Sequence, residues 1–509
     1  MSVKRNAIAN YVGQLYSLLI SVVTLPLFLG VMGPDAYGLV GFYTVIYAWL
    51  MIFDLGMTPA LSREVANLKS KPESGEVLAS ITATFERLFL MMTLAVGGAL
   101  YLSSTWLAEN WLVNDTLDGS RVVSALQFLA VAVALRWQTT VYRSVINGYE
   151  AQVWLNGIDV IINSLRFPLL LVVMTAYPTQ FELFFIYQAA ISAIEILALR
   201  WKFSRLLPGR GSLPAFNLPQ LKPMLPFALG AAYASALGVT LAQYDKLLLS
   251  SILTLTDYGY FALIGVVTGG ILTLSGPISK AILPRLTALL ASGEESEMLA
   301  LYKAATRWMV VSLSPLALSI VIWPQLTIFA WSGDSAAAAW VAPVLPLFVA
   351  GAALTTITVF QYFLQYAHGD LSLNVRFNTV LFVISVPLIT HAAYEYGVVG
   401  VAWVVFSTRL ISFCLWVPFV HSKLAPGIHR DWLLNSVAKP LIIPLALLLL
   451  INQMTGEIAA SLSSQLGALG FMALVATSGY GALALWLLAS GQLRAGFASA
   501  GSSAKERSQ

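Results

Sequence analysis

Charged residues are what this sequence has least of. Only 10% of its 509 residues are charged, whereas soluble proteins carry about a quarter. Hydrophobic residues make up 58% of the chain, and the mean hydropathy is +0.79. Apolar runs of roughly 20 residues are typical of membrane spans, and a backbone in lipid must satisfy its hydrogen bonds within helices. The composition therefore predicts an all-α integral membrane protein.

The sequence also has almost no cysteine and no long extramembrane loop. Cys414 is the only cysteine, which excludes an intrachain disulfide framework and a multi-cysteine metal site. The largest predicted outer loop, WLAENWLVNDTLDGS, is too short for the separate catalytic domain that a membrane polymerase or glycosyltransferase usually needs. We expect no enzymatic activity, no cofactor, no metal site and no nucleic-acid partner.

The apolar runs define fourteen predicted transmembrane helices joined by mostly short connections. The predicted fold is two parallel six-helix lobes followed by two C-terminal helices. The predicted spans lie near residues 7–32, 38–60, 77–105, 121–146, 154–177, 181–201, 224–253, 258–283, 299–323, 341–366, 375–394, 398–420, 434–453 and 464–490.

Positive charge is distributed very unevenly around these spans. With the N-terminus placed in the cytoplasm, the inner segments hold 22 of the 28 Lys and Arg residues and the outer segments hold one, Arg121. Because Lys and Arg are enriched in cytoplasmic loops, this bias predicts that both termini are cytoplasmic. The predicted domains are an N-lobe (1–200), a cytoplasmic linker (201–223), a C-lobe (224–420), the extra spans (421–490) and a mobile cytoplasmic tail (491–509).

Two segments of the chain look like copies of each other. Tyr37-Gly38 and Tyr258-Gly259 match at an offset of 221 residues, and each pair follows an apolar helix and a short turn. An offset of six spans keeps the orientation, so the repeat is parallel, with an axis along the membrane normal. Chance similarity between apolar helices is the alternative. Two equivalent lobes predict transport by rocking between inward- and outward-open states.

Three arginines fall within spans and have no adjacent acid: Arg136, Arg166 and Arg409. Charged groups in a span usually face a bundle interior or a water-filled cavity. The first interpretation is a cationic cavity for an anionic substrate, because the planar guanidinium donates two bonds at once to phosphate. The alternative is that each arginine pairs with an acid on another helix, such as Asp54 or Glu195.

Amide side chains recur on single faces of three spans. Asn10 and Gln14 begin a polar stripe on span 1, Asn163 lies on span 5, and Gln361 and Gln365 lie on span 10. Residues three, four or seven apart share one face of a helix. Such faces can line an aqueous path and contact a sugar, or they can bond neighbouring helices together.

The sequence AQYDKLLLSSIL places two adjacent charges, Asp245 and Lys246, inside an apolar run. Adjacent helical residues do not face each other, so each is expected to need its own partner. Lys246 is a candidate substrate contact, and solvation at the outer interface is the alternative. Asp54 lies near the inner end of span 2, where local capping is the alternative to a functional role. Asp159 can neutralise only one of the arginines near it.

Four stretches together resemble a known family: FLGVMGPDAYGL, FDLGMTPALSREVANL, QYDKLLLSSILTLTDYGYFAL and GPISKAILPRLTAL. They are similar to the bacterial polysaccharide (O-antigen/teichoic) flippases of the multidrug/oligosaccharidyl-lipid/polysaccharide exporter (MOP) superfamily, which includes the MATE transporters. The resemblance covers spans 1 to 12, most securely residues 1–75 and 222–300. Spans 13 and 14 fit the fourteen-span members of the family.

The resemblance implies a function. Such flippases move polyprenyl-diphosphate-linked oligosaccharides from the inner to the outer leaflet of the bacterial cytoplasmic membrane. The arginines would bind the diphosphate, the polar faces would contact the sugars, and the polyprenyl tail would stay in membrane lipid. Family members couple to ions or to the membrane potential, for which Asp54, Asp159 and Asp245 are candidates. A polysaccharide polymerase and glycosyltransferases would be partners.

Two relatives in the same superfamily remain as alternatives. A multidrug exporter would favour acids in an otherwise apolar cavity over unpaired arginines. A lipid II flippase has a similar composition, so composition alone does not separate it from an oligosaccharide flippase. An integral-membrane polysaccharide polymerase is the alternative from a different functional class.

Overall fold

The computed structural model describes residues 3–69, 75–207 and 217–489. Within these ranges the chain is helical, with one isolated β-bridge between Val113 and Thr254 and no strand. The predicted all-α class is therefore confirmed. Part of the predicted linker (208–216) and the predicted tail (491–509) lie outside the described residues.

Twenty-one α-helices make up the described chain. They are α1 Val3–Met32, α2 Pro34–Leu50, α3 Met57–Leu68, α4 Gly75–Leu102, α5 Ser104–Trp106, α6 Gly119–Gly148, α7 Gln152–Ser164, α8 Leu170–Ala176, α9 Glu182–Leu206, α10 Leu225–Leu249, α11 Leu255–Thr273, α12 Ser275–Ala291, α13 Glu295–Ile322, α14 Pro324–Ser332, α15 Ser335–Val341, α16 Leu345–Ala367, α17 Ser372–Ile411, α18 Val417–Leu424, α19 Ile428–Asp431, α20 Lys439–Ser461 and α21 Gln465–Ala489.

Twelve stretches of the described chain are long and apolar enough to cross a membrane. One of them, Ser372–Leu424, covers two predicted spans and breaks at Gly397, where φ is 58° and ψ is −148°. Glycine populates such positive-φ conformations readily because it has no Cβ. α10 coincides with another predicted span but is not among the twelve. The total of fourteen spans therefore stays a prediction.

Short π-helical turns interrupt the helices near prolines. The turn Leu165–Leu169 contains Pro168, and the turn Ser412–Trp416 is followed by Pro418. Proline has no N–H, and its ring collides with the carbonyl four residues earlier, so a regular α-helix cannot continue unchanged. Single π turns within helices frequently lie at functional sites.

Contacts divide the chain into two compact units. Unit 1 comprises Met1–Leu263 and Phe382–Tyr394. Its central helix is α6, which packs against α3, α4 and α9. Trp137, Val141 and Val145 recur every four residues along α6 and are fully buried. This apolar stripe forms the core of unit 1, because residues four apart lie on one face of a helix.

Unit 2 comprises Ile264–Leu381 and Glu395–Gln509. Its central helix is α13, which packs against α12, α16, α20 and α21. Tyr302 and Met309 of α13 are fully buried. The helices α20 and α21, which correspond to predicted spans 13 and 14, also carry exposed leucines such as Leu485. An exposed apolar face of this kind suits contact with lipid.

The two repeat segments meet within unit 1, where α2 crosses the start of α11. A Cβ on Gly38 would collide with the carbonyl oxygen of Leu255, and a Cβ on Gly259 would collide with that of Pro34. Pro34 and Leu255 are separated by 221 positions, as are Gly38 and Gly259. The contact is therefore reciprocal, as expected where two related segments meet across a local pseudo-two-fold axis. This observation favours the predicted repeat over chance similarity.

Candidate functional site

A buried ion cluster joins helices of unit 1. Glu195 on α9 accepts hydrogen bonds from Arg143 of α6 at 2.6 Å and from Arg166 at 2.8 Å. Arg143 also donates to Asp159 of α7 at 2.5 Å. The side chains of Arg166 and Glu195 are only 4% and 3% exposed. We call these four residues and Arg136 the arginine cluster.

Arg136 is the member of the arginine cluster without a carboxylate partner. Its guanidinium lies over the ring of Tyr47, 4.1 Å from the ring centroid, and the residue is partly buried. It makes no ion pair among the described residues, although Arg166 and Glu195 are close enough to act on it electrostatically. Three arginines therefore share two carboxylates, and one positive charge is in excess.

The structure changes the interpretation of the predicted arginines. Arg166 is paired with Glu195, as the alternative interpretation proposed, so it is not an unneutralised charge. Arg409 belongs to unit 2. Arg143 is not among the predicted site residues, yet its side chain is only 27% exposed and bonds two acids. Its signal in the sequence was the seven-residue spacing from Arg136, which puts both on one face of α6.

The polar stripe of α1 packs against α7. Asn10 accepts a hydrogen bond from Asn156 at 2.5 Å, and Asn163 donates to Ser17 at 2.8 Å. Helix packing therefore accounts for the amides of Asn10 and Asn163, which were candidate substrate contacts. Gln14 is exposed and has no hydrogen-bond partner in the described part of the chain.

The remaining charged candidates make local contacts. Asp54 accepts hydrogen bonds from the Thr58 hydroxyl at 2.8 Å and from the Thr58 backbone N–H at 3.3 Å, so its contacts are local ones at the start of α3, in line with the alternative to a functional role. Lys246 donates to the Ala242 carbonyl at 2.6 Å, and its Nζ lies 3.8 Å from Oδ1 of buried Asp245. The expectation that these neighbours cannot face each other was wrong, because the long lysine side chain bends back along its own helix.

A pocket of about 320 Å³ lies within unit 2 and is lined by α16, α17, the π turn Ser412–Trp416 and single residues of α11 and α12. It brings together two predicted site residues, Gln361 and Arg409. The third candidate there, Gln365, is buried beside Gln361 and donates a hydrogen bond to its side-chain oxygen. Among the described residues that line the pocket, none is Asp or Glu.

Four lining residues of this pocket were missed in the sequence: Asn374, Phe377, Asn378 and Trp416. The first three share a face of α17 through spacings of three and four residues. The rings of Phe377 and Trp416 stack with centroids 4.3 Å apart and planes 8° apart. Asn374 and Asn378 are four residues apart, a spacing that indicates a shared helix face. They lie in the first two turns of α17, however, where polar residues are common.

No group of three or more His, Cys, Asp or Glu side chains in residues 3–69, 75–207 and 217–489 is arranged to hold a metal ion. The arginine cluster offers charge pairing and hydrogen bonding, and the unit 2 pocket offers amide, hydroxyl and aromatic contacts.

The fold is shared with two solved membrane transporters. The lipid II flippase MurJ, in an inward closed conformation, superimposes with a TM-score of 0.69 at 13% identity, covering 96% of this chain and 99% of that chain. An inward-facing MATE multidrug resistance transporter of the MOP superfamily superimposes with a TM-score of 0.62 at 12% identity, covering 83% and 99%. The chain thus has the MOP fold of multi-pass membrane transporters.

The sequence also matches the family described as "Polysaccharide biosynthesis protein" over residues 3–290. The match covers more than half of the chain, so the chain belongs to this family. A curated relative is a candidate O-antigen transporter of Shigella flexneri, 24% identical over 151 residues. That match spans 30% of this chain and 35% of the relative's length.

Proposed function

We propose that this protein is a flippase for polyprenyl-diphosphate-linked oligosaccharides in the bacterial cytoplasmic membrane. The observation that carries the proposal is the excess positive charge of the arginine cluster, where Arg136 has no carboxylate partner. A diphosphate can supply the missing negative charge and accept two bonds from the planar guanidinium. Family membership supports a substrate used in polysaccharide biosynthesis.

In this proposal only the head group needs a polar path. The polyprenyl tail stays in lipid, so it never has to cross water, and the diphosphate neutralises the cluster while the lobes rock between inward- and outward-open states. The charge bias of the sequence predicts that both termini lie in the cytoplasm. The glycosyltransferases that build the glycan and a polymerase that extends it outside would act before and after this step.

Replacing Arg136 with alanine is expected to stop most glycan export while leaving the protein in the membrane. One charge-assisted hydrogen bond contributes about 1.5–3 kcal/mol, so head-group binding should weaken roughly tenfold to a hundredfold. Lysine at this position should restore export only in part, because a point charge lacks the fork of donors. Surface glycan and membrane protein level would be measured in cells that carry each variant as the only copy.

A matched control is Arg205→Ala. The Arg205 guanidinium lies over the Trp201 ring at 4.4 Å, in the same arrangement as Arg136 over Tyr47, but the residue is exposed at the end of α9. Export should be unchanged in this control. Equal export in the Arg136→Ala and Arg205→Ala strains would contradict the proposal.

Deleting the gene and identifying the lipid precursor that accumulates would distinguish oligosaccharide transport from lipid II transport. The proposal expects the lipid-linked oligosaccharide to accumulate with its sugars facing the cytoplasm. Accumulation of the peptidoglycan precursor lipid II would assign the protein to lipid II transport instead. The absence of Asp and Glu from the described lining of the unit 2 pocket disfavours a cationic drug as cargo, since such a site needs acids.

A further inference from the structure

The unit 2 pocket contains polar groups that have no hydrogen-bond partner among the described residues. The side chains of Asn374, Asn378 and Tyr362 line the pocket and make no hydrogen bond to any described residue. Trp416 also lines the pocket, although its own N–H is buried and not accessible from it. Amide and hydroxyl groups that line a pocket without a partner in the described protein can donate to and accept from a ligand there.

The same pocket offers an aromatic wall. The stacked rings of Phe377 and Trp416 lie beside the free amides, because Phe377 is next to Asn378 on α17 and close to Asn374 on the same face. An aromatic body beside amide and hydroxyl donors and acceptors is the combination that a pyranose ring needs. Its C–H face is apolar, and its rim carries hydroxyl groups that both donate and accept.

The volume of the pocket and its position in the predicted spans limit which ligands fit it. At about 320 Å³ the pocket is at the small end of ligand sites, which run from ~300 to ~1,000 Å³, so it suits one ring and not a whole oligosaccharide. In the predicted topology α16 ends and α17 begins on the cytoplasmic side. Tyr362 and Asn374 would then lie in the inner halves of their spans, where a substrate made in the cytoplasm arrives.

We propose that the unit 2 pocket is a recognition subsite for a single pyranose ring of the glycan. The amides of Asn374 and Asn378 bond the ring hydroxyls, and the aromatic wall covers one face. Arg409 lies at the same pocket and favours rings that carry an acidic substituent. The assignment rests on the proposed function for the source of the glycan, but the binding it predicts does not require flipping.

The test is binding of soluble probes to the purified full-length protein in nanodiscs. The probes are the lipid-free repeat-unit oligosaccharide, released from the carrier lipid of the strain that holds the gene, and inorganic diphosphate. Trp416→Ala removes one ring of the aromatic wall, and Asn378→Ala removes one amide. Each variant should weaken oligosaccharide binding about 2- to 12-fold and leave diphosphate binding unchanged.

Trp403→Ala is the matched control, because Trp403 is 55% exposed on α17 and does not line the pocket. It should bind the oligosaccharide like the wild type. If Trp416→Ala does not accumulate as folded protein, Asn378→Ala alone decides. Diphosphate binding without oligosaccharide binding, or variants no weaker than Trp403→Ala, would overturn the sugar subsite. Neither result bears on the proposed function, which is tested separately by the Arg136 variants and by the lipid precursor that accumulates after gene loss.

Discussion

Glu195→Gln is expected to destabilise unit 1 by about 3–5 kcal/mol, as breaking a buried ion pair does when its charged partner remains. The substitution keeps the size of the side chain but removes the charge shared by Arg143 and Arg166. The arginine cluster would then hold three arginines and one carboxylate, Asp159. Because Arg166 is almost fully buried, its charge could not turn to water for compensation.

The measurement is thermal unfolding of the purified protein, together with its level in the membrane. Glu150→Gln makes the same chemical change in an exposed pair, since Glu150 is 65% exposed and bonds Lys69 at 3.0 Å. That control should change stability by less than about 1 kcal/mol. Adding Arg166→Met to Glu195→Gln should recover part of the loss, because it removes the stranded charge. If Glu195→Gln unfolds like Glu150→Gln, the cluster does not depend on this carboxylate.

The sequence predicted the helices of the fold well because lipid imposes a simple rule on them. A span must be apolar for about 20 residues and must bond its own backbone, so composition and length reveal it. The break at Gly397 falls between two predicted spans, at 375–394 and 398–420, and divides α17 into two helical parts. One tertiary contact was also visible in the sequence. The two glycines of the reciprocal contact belong to the Tyr-Gly pairs that define the repeat.

The partners of polar side chains were much harder to predict. Helical periodicity states which residues share a face, but it does not state which helix that face meets. Arg166 and Glu195 are 29 residues apart, on neighbouring elements, and only the folded chain brings their charges to 2.8 Å. For the same reason Asn163, a candidate sugar contact, proved to bond Ser17 of α1.

In the unit 2 pocket, by contrast, several lining residues were not predicted from the sequence. Gln361 and Arg409 were noticed because amides and charges are rare within spans. Asn374 and Asn378 were not, since they lie just after a polar turn where such residues are common. Trp416 was hidden among apolar residues, because an aromatic ring in a span is ordinary. Only its place in a π turn beside the pocket distinguishes it.

Gly259→Ala is expected to destabilise the protein by about 1–3 kcal/mol or more, as overpacking does. The new methyl group would collide with the Pro34 carbonyl oxygen, and a backbone carbonyl cannot turn aside as a flexible side chain can. α2 and α11 would have to separate, which would also stretch the hydrogen bond from Thr256 to Asp35. The usual effect of this substitution inside a helix has the opposite sign, a gain of roughly 0.5–1 kcal/mol.

That difference in sign makes the control decisive. Gly270 lies on the same helix with open space where its Cβ would be, so Gly270→Ala should be neutral or stabilising in thermal unfolding. Gly38→Ala should resemble Gly259→Ala, because Gly38 meets Leu255 in the equivalent contact of the repeat. The double variant should cost less than the sum of the two singles, since one separation of the helices relieves both collisions. Additive losses, or a Gly259→Ala protein as stable as Gly270→Ala, would mean that the two glycines do not share one helix crossing.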